Sequence, residues 1–230
     1  MGQITLPDNP GIEINVKRSA RARRLSLRVS SLDGRVTLTM PKGVPEAEGL
    51  RFLAEKSDWI RRAVAGVPEE VDITIGASLP VMGEMRKVVP GSTRRAALDG
   101  AHLVAPSART GAAIRAFLKT TARDRIAACI DHYAPEVART PGRLTIRDTR
   151  SRWGSCSHKG DLMLSWRLIM APDHVLDYVV AHEVAHLVHM DHSPRFWSVV
   201  ADLRPDWRQS RDWLTANGSA LHRYRFDSVD

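Results

Sequence analysis

Four histidines and one glutamate stand between His182 and His192, in the stretch VVAHEVAHLVHMDHSPRFW. His182 and His186 are four residues apart, so on a helix their Cβ atoms lie about 5–6 Å apart on one face. Two imidazoles placed in this way can converge on one metal ion. Glu183 lies between them and completes H-E-x-x-H, the pattern in which the glutamate is general base for a zinc-bound water. Val179, Val180, Val184 and Leu187 surround the set and mark a buried helix. A buried, unpaired imidazole is costly, and metal ligation removes that cost.

A catalytic zinc takes three protein ligands and keeps one position open. His189 continues the histidine stripe, but seven helical residues separate it from His182 by roughly 10 Å along the axis. Bonds of about 2.1 Å cannot span that from one ion. No glutamate follows Glu183, which leaves Asp202 as a carboxylate alternative. His192 is favoured, because Asp191 and Ser193-Pro194 mark a chain reversal that can swing it back toward the first two. His189 then lines the site or packs. The spacing of His182, His186 and His192 also matches the metzincin pattern, with His189 at its glycine position and no Met-turn segment in evidence.

The elements that must position these residues follow from periodicity and punctuation. The histidine helix begins near Pro172 or Asp173 and runs to about Met190. A second helix starts with Ser193 as cap and Pro194 in its first turn, and Pro205 opens a third that ends near Gly218. Upstream, RLTIRDT and DLMLSW are strand candidates around the loop RSRWGSCSHKG, and DLMLSW is a candidate to hold an extended peptide. A long helix spans about Thr110 to Ala134, with Pro135 ending it. Residues 71–105 read as short strands separated by Gly and Pro. Nearer the N-terminus, Leu25, Leu27 and Val29 alternate with polar residues, Asp33-Gly34 signals a hairpin turn, and Val36, Leu38 and Met40 resume the alternation. One amphipathic helix then follows, with Leu50, Leu53, Trp59, Ile60 and Val64 inward. The expectation is an α+β chain: an N-terminal β-rich region with one helix over 12–105, a catalytic domain over 106–223 with an active-site helix and a small sheet, and a tail over 224–230.

Composition sets the broader limits. The 230 residues are 43% hydrophobic, enough for a proper core. No run of eighteen apolar residues and no signal pattern occurs, and there are two cysteines, Cys129 and Cys156. These features predict a cytoplasmic protein without a membrane partner or a disulfide scaffold. Cys156 reads as structural, since three histidines suffice for the metal. The net charge of +8 suits acidic partners, and equally an arginine-rich solvated surface. Lys17, Arg18, Arg21, Arg23, Arg24 and Arg28 form the densest basic run. It suits phosphate contacts with nucleic acid, or a charged edge strand that resists aggregation.

The segment from RSRWGSCSHKG through the histidine helix to HSPRFW resembles the YgjP-like branch of the SprT-like zinc metallopeptidases. The shared features are R-W-G-S-C-S, Y-V-V-x-H-E-x-x-H and H-S-x-x-F-W. KRSARARRLSLRV and WIRR look like the family's N-terminal region, so the resemblance runs from about Val16 to Leu214. It implies a zincin-like fold, one zinc per chain on His182, His186 and His192, and Glu183 as catalytic base. The family pattern often has Asn before the third histidine, where Asp191 stands here.

The resemblance implies several functions. Peptide-bond hydrolysis is the leading expectation, with a polypeptide substrate. A UTP or other nucleoside triphosphate pyrophosphatase is the first alternative, since a bacterial relative is described as one. Arg147, Arg150, Arg152 and Arg167 flank the tryptophan loop and would clamp phosphates in that case, unless they are an ordinary basic strand face. With His189, Arg150, Arg152 and Arg167 are the candidate substrate-binding residues. A nucleic-acid-associated protease or binding module, as in SprT-like relatives acting on DNA-crosslinked proteins, is the second alternative.

Overall fold

The structure is a computed structural model of the chain, and it describes residues 2–6, 8–30 and 32–227. The chain separates into two compact units, Met1–Glu69 and Glu70–Asp230. The division falls at 69/70, not at the expected 105/106. Residues 71–105 belong instead with the second unit, because Ile73, Leu79, Val81, Val88 and Leu103 share a buried core with the long helix.

The first unit is a four-stranded sheet with two helices. Strands β1 (Gly2–Leu6), β2 (Asn9–Ser19), β3 (Ser26–Val29) and β4 (Val36–Pro41) lie in the order β1-β2-β4-β3. The expected hairpin is present: Leu27 faces Leu38, and Gly34 takes a positive φ in the turn. Alternation sends Ile14, Val36, Leu38 and Met40 into the core. The single expected helix is two, α1 (Glu46–Glu55) and α2 (Ser57–Ala65), broken at Lys56. The break lets Leu53 and Ile60 reach one core, while Leu50 (39% exposed) and Trp59 (45% exposed) face solvent instead of inward.

The second unit begins with β5 (Val71–Asp72) and a four-stranded sheet of β6 (Ser78–Val81), β7 (Glu84–Pro90), β8 (Ala97–Asp99) and β9 (His102–Ala105). Helix α3 (Thr110–Glu136) crosses this core, and Pro135 falls inside its last turn rather than stopping it. A three-stranded sheet follows, of β10 (Leu144–Arg147), β11 (Gly154–Cys156) and β12 (Leu162–Ser165), in the order β10-β12-β11. The DLMLSW strand is therefore the central one, paired on both sides, with β10 and β11 as the two edges.

A short 3₁₀ turn, Trp166–Met170, leads to the histidine helix α4 (Asp173–Ala185). Its start is clamped by the β6–β7 hairpin. Met82 N–H donates to the Ile169 carbonyl (2.7 Å), and Gly83 lies so close that a Cβ there would stand 2.9 Å from Pro172 Cα. Helix α4 is apolar nearly all round, as a helix crossing a core must be. It is tied to α3 and to α5 (Pro194–Leu203) through Asp177, which accepts from Tyr133 (3.0 Å) and from Arg204.

Helix α6 (Trp207–Asn217) and a second 3₁₀ turn, Gly218–His222, bring the chain to β13 (Tyr224–Arg225), which pairs with β5. Residues 224–227 are thus not a tail. Phe226 is buried against Trp166, where apolar area is gained that a free tail would leave in water. The rest of the expected tail, 228–230, lies outside the described residues.

Candidate metal centre

The helix expected to reach Met190 ends at Ala185. His186 caps it, Leu187, Val188 and His189 turn back onto the carbonyls of Val184 and Ala185, and the chain reverses. Asp191 holds the reversal by accepting from the Ser193 N–H (3.0 Å), and Pro194 starts α5. The Ser193 side chain makes no capping bond, so the expected serine cap is absent and the Asp191 carboxylate holds the turn before α5.

This reversal brings three imidazoles together. The ligand nitrogens of His182, His186 and His192 all lie within 4.8 Å of one another. His182 Nε2 and His192 Nε2 are 3.3 Å apart. Two nitrogens bonded to one zinc at a tetrahedral angle stand about 3.3–3.4 Å apart, so the pair fits a shared ion. His186 Nδ1 donates to the His189 carbonyl (2.9 Å), which leaves its Nε2 free for a metal. His182 Nδ1 is buried with no such partner among the described residues. Its ring is held by packing, with Phe196 at 4.9 Å, Trp197 at 5.7 Å and Tyr178 at 6.0 Å between centroids. Phe196 touches all three imidazoles, stacking on His186 at 4.4 Å. Burial, with His186 and His192 nearby, pushes His182 down to about 3, and burial also lowers His186. Neutral imidazoles are the form that binds metal.

Glu183 points into the same pocket and is 5% exposed. Burial pushes its carboxyl up to about 8, against the opposing charge of Arg152. A divalent cation at the imidazoles favours the ionised carboxylate. The pocket is also lined by Ser151, Arg152, Gly154, Ser155, Cys156 and Met190. Burial, then the Glu183 charge, raises the Cys156 thiol to about 11.

The edge strand β11 forms one wall. Ser165 N–H donates to the Trp153 carbonyl and Ser157 N–H to the Asp161 carbonyl, both at 2.9 Å. Alternation along an antiparallel strand then turns the backbone N–H and C=O of Gly154 and Cys156 away from β12.

The expected substrate residues are divided. Arg152 shares the pocket with the histidines and Glu183. Arg150 and Arg167 line a different cavity, beside Asp148 and His222. Arg167 is buried, pairs with Asp148 through two hydrogen bonds (2.7 and 3.2 Å), and donates to the carbonyls of Leu221 and Tyr224. Arg147 is exposed at the end of β10. His189 acts through its backbone carbonyl, and its side chain is not part of the pocket lining. Asp202 is exposed on α5, outside the histidine cluster. The role of Phe196 as a common platform, and the contact of Gly154 with Glu183, have no signal in spacing, because both depend on elements far apart in the chain.

A comparison with curated proteins gave no match. Among solved structures, the crystal structure of the metallopeptidase zymogen abylysin from Pyrococcus abyssi is similar to 42% of this chain and 93% of its own, at 22% identity and a TM-score of 0.36. The sequence model of the YgjP-like metallopeptidase domain matches residues 23–217, most of the chain, and the chain therefore belongs to the YgjP-like metallopeptidase family.

Proposed function

We propose that this protein is a zinc-dependent peptidase of the H-E-x-x-H type, with one zinc per chain on His182, His186 and His192. The observation that carries the reading is the convergence of three imidazole nitrogens beside a buried glutamate, on a wall formed by a free strand edge. When bound, zinc polarises the scissile carbonyl and lowers the pKa of the attacking water. Glu183 takes the proton from that water and delivers it to the leaving amine. The outward N–H and C=O groups of Gly154 and Cys156, rather than the central strand DLMLSW, pair with an extended substrate. Arg152, the one cation in this lining, engages the substrate's carbonyl or carboxylate oxygens.

The pyrophosphatase alternative needs several cations gathered on the phosphates. The separation of Arg150 and Arg167 from the metal pocket weighs against it. The six exposed cations between Lys17 and Arg28 form no ion pair among the described residues, and they are proposed as a phosphate-attracting surface of the first unit.

The deciding experiment incubates the zinc-loaded protein side by side with an unfolded polypeptide and with UTP. Cleavage of the polypeptide is expected, with no release of pyrophosphate. Glu183→Gln should keep its zinc and lose at least ~10²-fold in rate, the usual scale for a lost general base. Zinc- and Glu183-dependent release of pyrophosphate with an intact polypeptide would overturn the reading.

A further inference from the structure

Gly154 and Glu183 approach each other more closely than two residues with ordinary side chains can. A Cβ built on Gly154 would stand 2.5 Å from Glu183 Oε1, 2.6 Å from its Cγ and 2.7 Å from its Cδ. Three atoms of one side chain thus occupy the space that a methyl group at 154 would need. The clash does not involve the tip of a mobile chain alone, since Glu183 is 5% exposed and Cγ lies nearer its root. Nor is the glycine there for its backbone, because the positive-φ glycines of the described residues do not include Gly154. It sits in a regular strand, where glycine is otherwise unfavourable.

From this contact we infer that Gly154 is the positioning residue for the Glu183 carboxyl. Its bare Cα forms a slot on the wall of the pocket, and the carboxyl lies in that slot. Both residues face the space they share with His182, His186 and His192. One Glu183 oxygen lies over Gly154, and the other, Oε2, has no hydrogen-bond partner among the described residues. Steric fit against the strand sets the direction of the carboxyl. The same residue turns its N–H and C=O outward from the sheet edge. A substrate strand held there lies alongside the base, so Gly154 sets the spacing between the base and the bond to be cut. This inference rests on Glu183 as base for its catalytic part, while the packing part stands on the contact alone.

The test separates the two parts. Gly154→Ala should lower the melting temperature by roughly 5–10 °C, the scale of an overpacked methyl. In a Glu183→Ala background the same substitution should be neutral or stabilising, because the methyl then fills the vacated slot. Equal destabilisation in both backgrounds would overturn the packing claim. If Gly154→Ala alone does not fold, the double variant should still fold, and its failure to do so would overturn the claim as well.

For catalysis, Gly154→Ala on the zinc-loaded protein should keep one equivalent of metal. Its kcat on an unfolded polypeptide should fall by about 10²-fold, as for a displaced general base, with KM changed less than about threefold. A loss confined to KM would assign Gly154 to the substrate strand alone and overturn the positioning role. Full activity in Glu183→Gln would instead remove the base reading and leave the stability cycle to decide the packing by itself.

Discussion

His192 is the residue on which the proposed metal centre turns. It is exposed and lies outside the helix that carries the other two histidines, yet its Nε2 comes within 3.3 Å of His182 Nε2. His192→Ala should lower bound zinc strongly, measured as metal per chain after gel filtration. His189→Ala should leave zinc content unchanged, since only the backbone carbonyl of His189 supports His186. Asp202→Ala should do the same, because Asp202 lies outside the cluster. Full occupancy in His192→Ala would remove it from the ligand set. Phe196 matters at this scale too: it is fully buried and touches all three rings. Its truncation should cost about 3–5 kcal/mol of stability through the cavity it leaves.

Among the elements, the C-terminal segment braces the loop that carries the pocket wall. The His222 ring packs on Trp153 at 5.1 Å, and Arg167 fixes the carbonyls of Leu221 and Tyr224. Burial pushes His222 down to about 4, helped by the charges of Arg167 and Arg150 and opposed by Asp148. The unfolded chain takes up this proton near pH 6.5, and the folded chain only near 4. Between those values the unfolded state binds more protons, so stability falls as pH drops through that window. Below about pH 4 this contribution changes no further. His222→Phe keeps the ring and removes the proton site, so its melting temperature should fall less between pH 6.5 and 4 than that of the unaltered protein. Identical pH profiles would show that His222 does not carry this linkage.

For the molecule as a whole, the proposed metal on His182, His186 and His192 would join the end of α4 to the turn before α5. A ligand present at a thousandfold excess over its Kd stabilises the folded state by about 4 kcal/mol, or roughly 10 °C for a domain of this size. Chelation should lower the melting temperature on that scale, and one equivalent of zinc per chain should restore it. An unchanged melting curve would mean that the metal is not held by folded structure. Charge acts at this scale as well. Lys17 and Arg28 lie in register with Thr39 and Thr37 on one face of the first sheet, while Arg18 turns to donate to the carbonyls of Lys42 and Val44. Binding to a DNA probe should weaken steeply with salt, and neutralising Arg21, Arg23 and Arg24 together should flatten the log–log slope by about 2–3 units. Salt-insensitive binding, or none at low salt, would return the run to a solvated surface.

The local parts of this protein were legible in its sequence. The spacing of His182 and His186, the place of Glu183 between them and the chain reversal at Asp191 to Pro194 are short-range facts, governed by helix period and turn chemistry. So were the Asp33-Gly34 hairpin and the long apolar period of α3. Only the tertiary structure decided where the histidine helix stops, that DLMLSW is central and β11 an edge, and that residues 71–105 join the second core. It also parted Arg167 from Arg152 and set Gly154 against Glu183. Periodicity reports which face of an element is apolar, whereas partners across a core are chosen by packing between segments distant in the chain, and no local pattern records that choice.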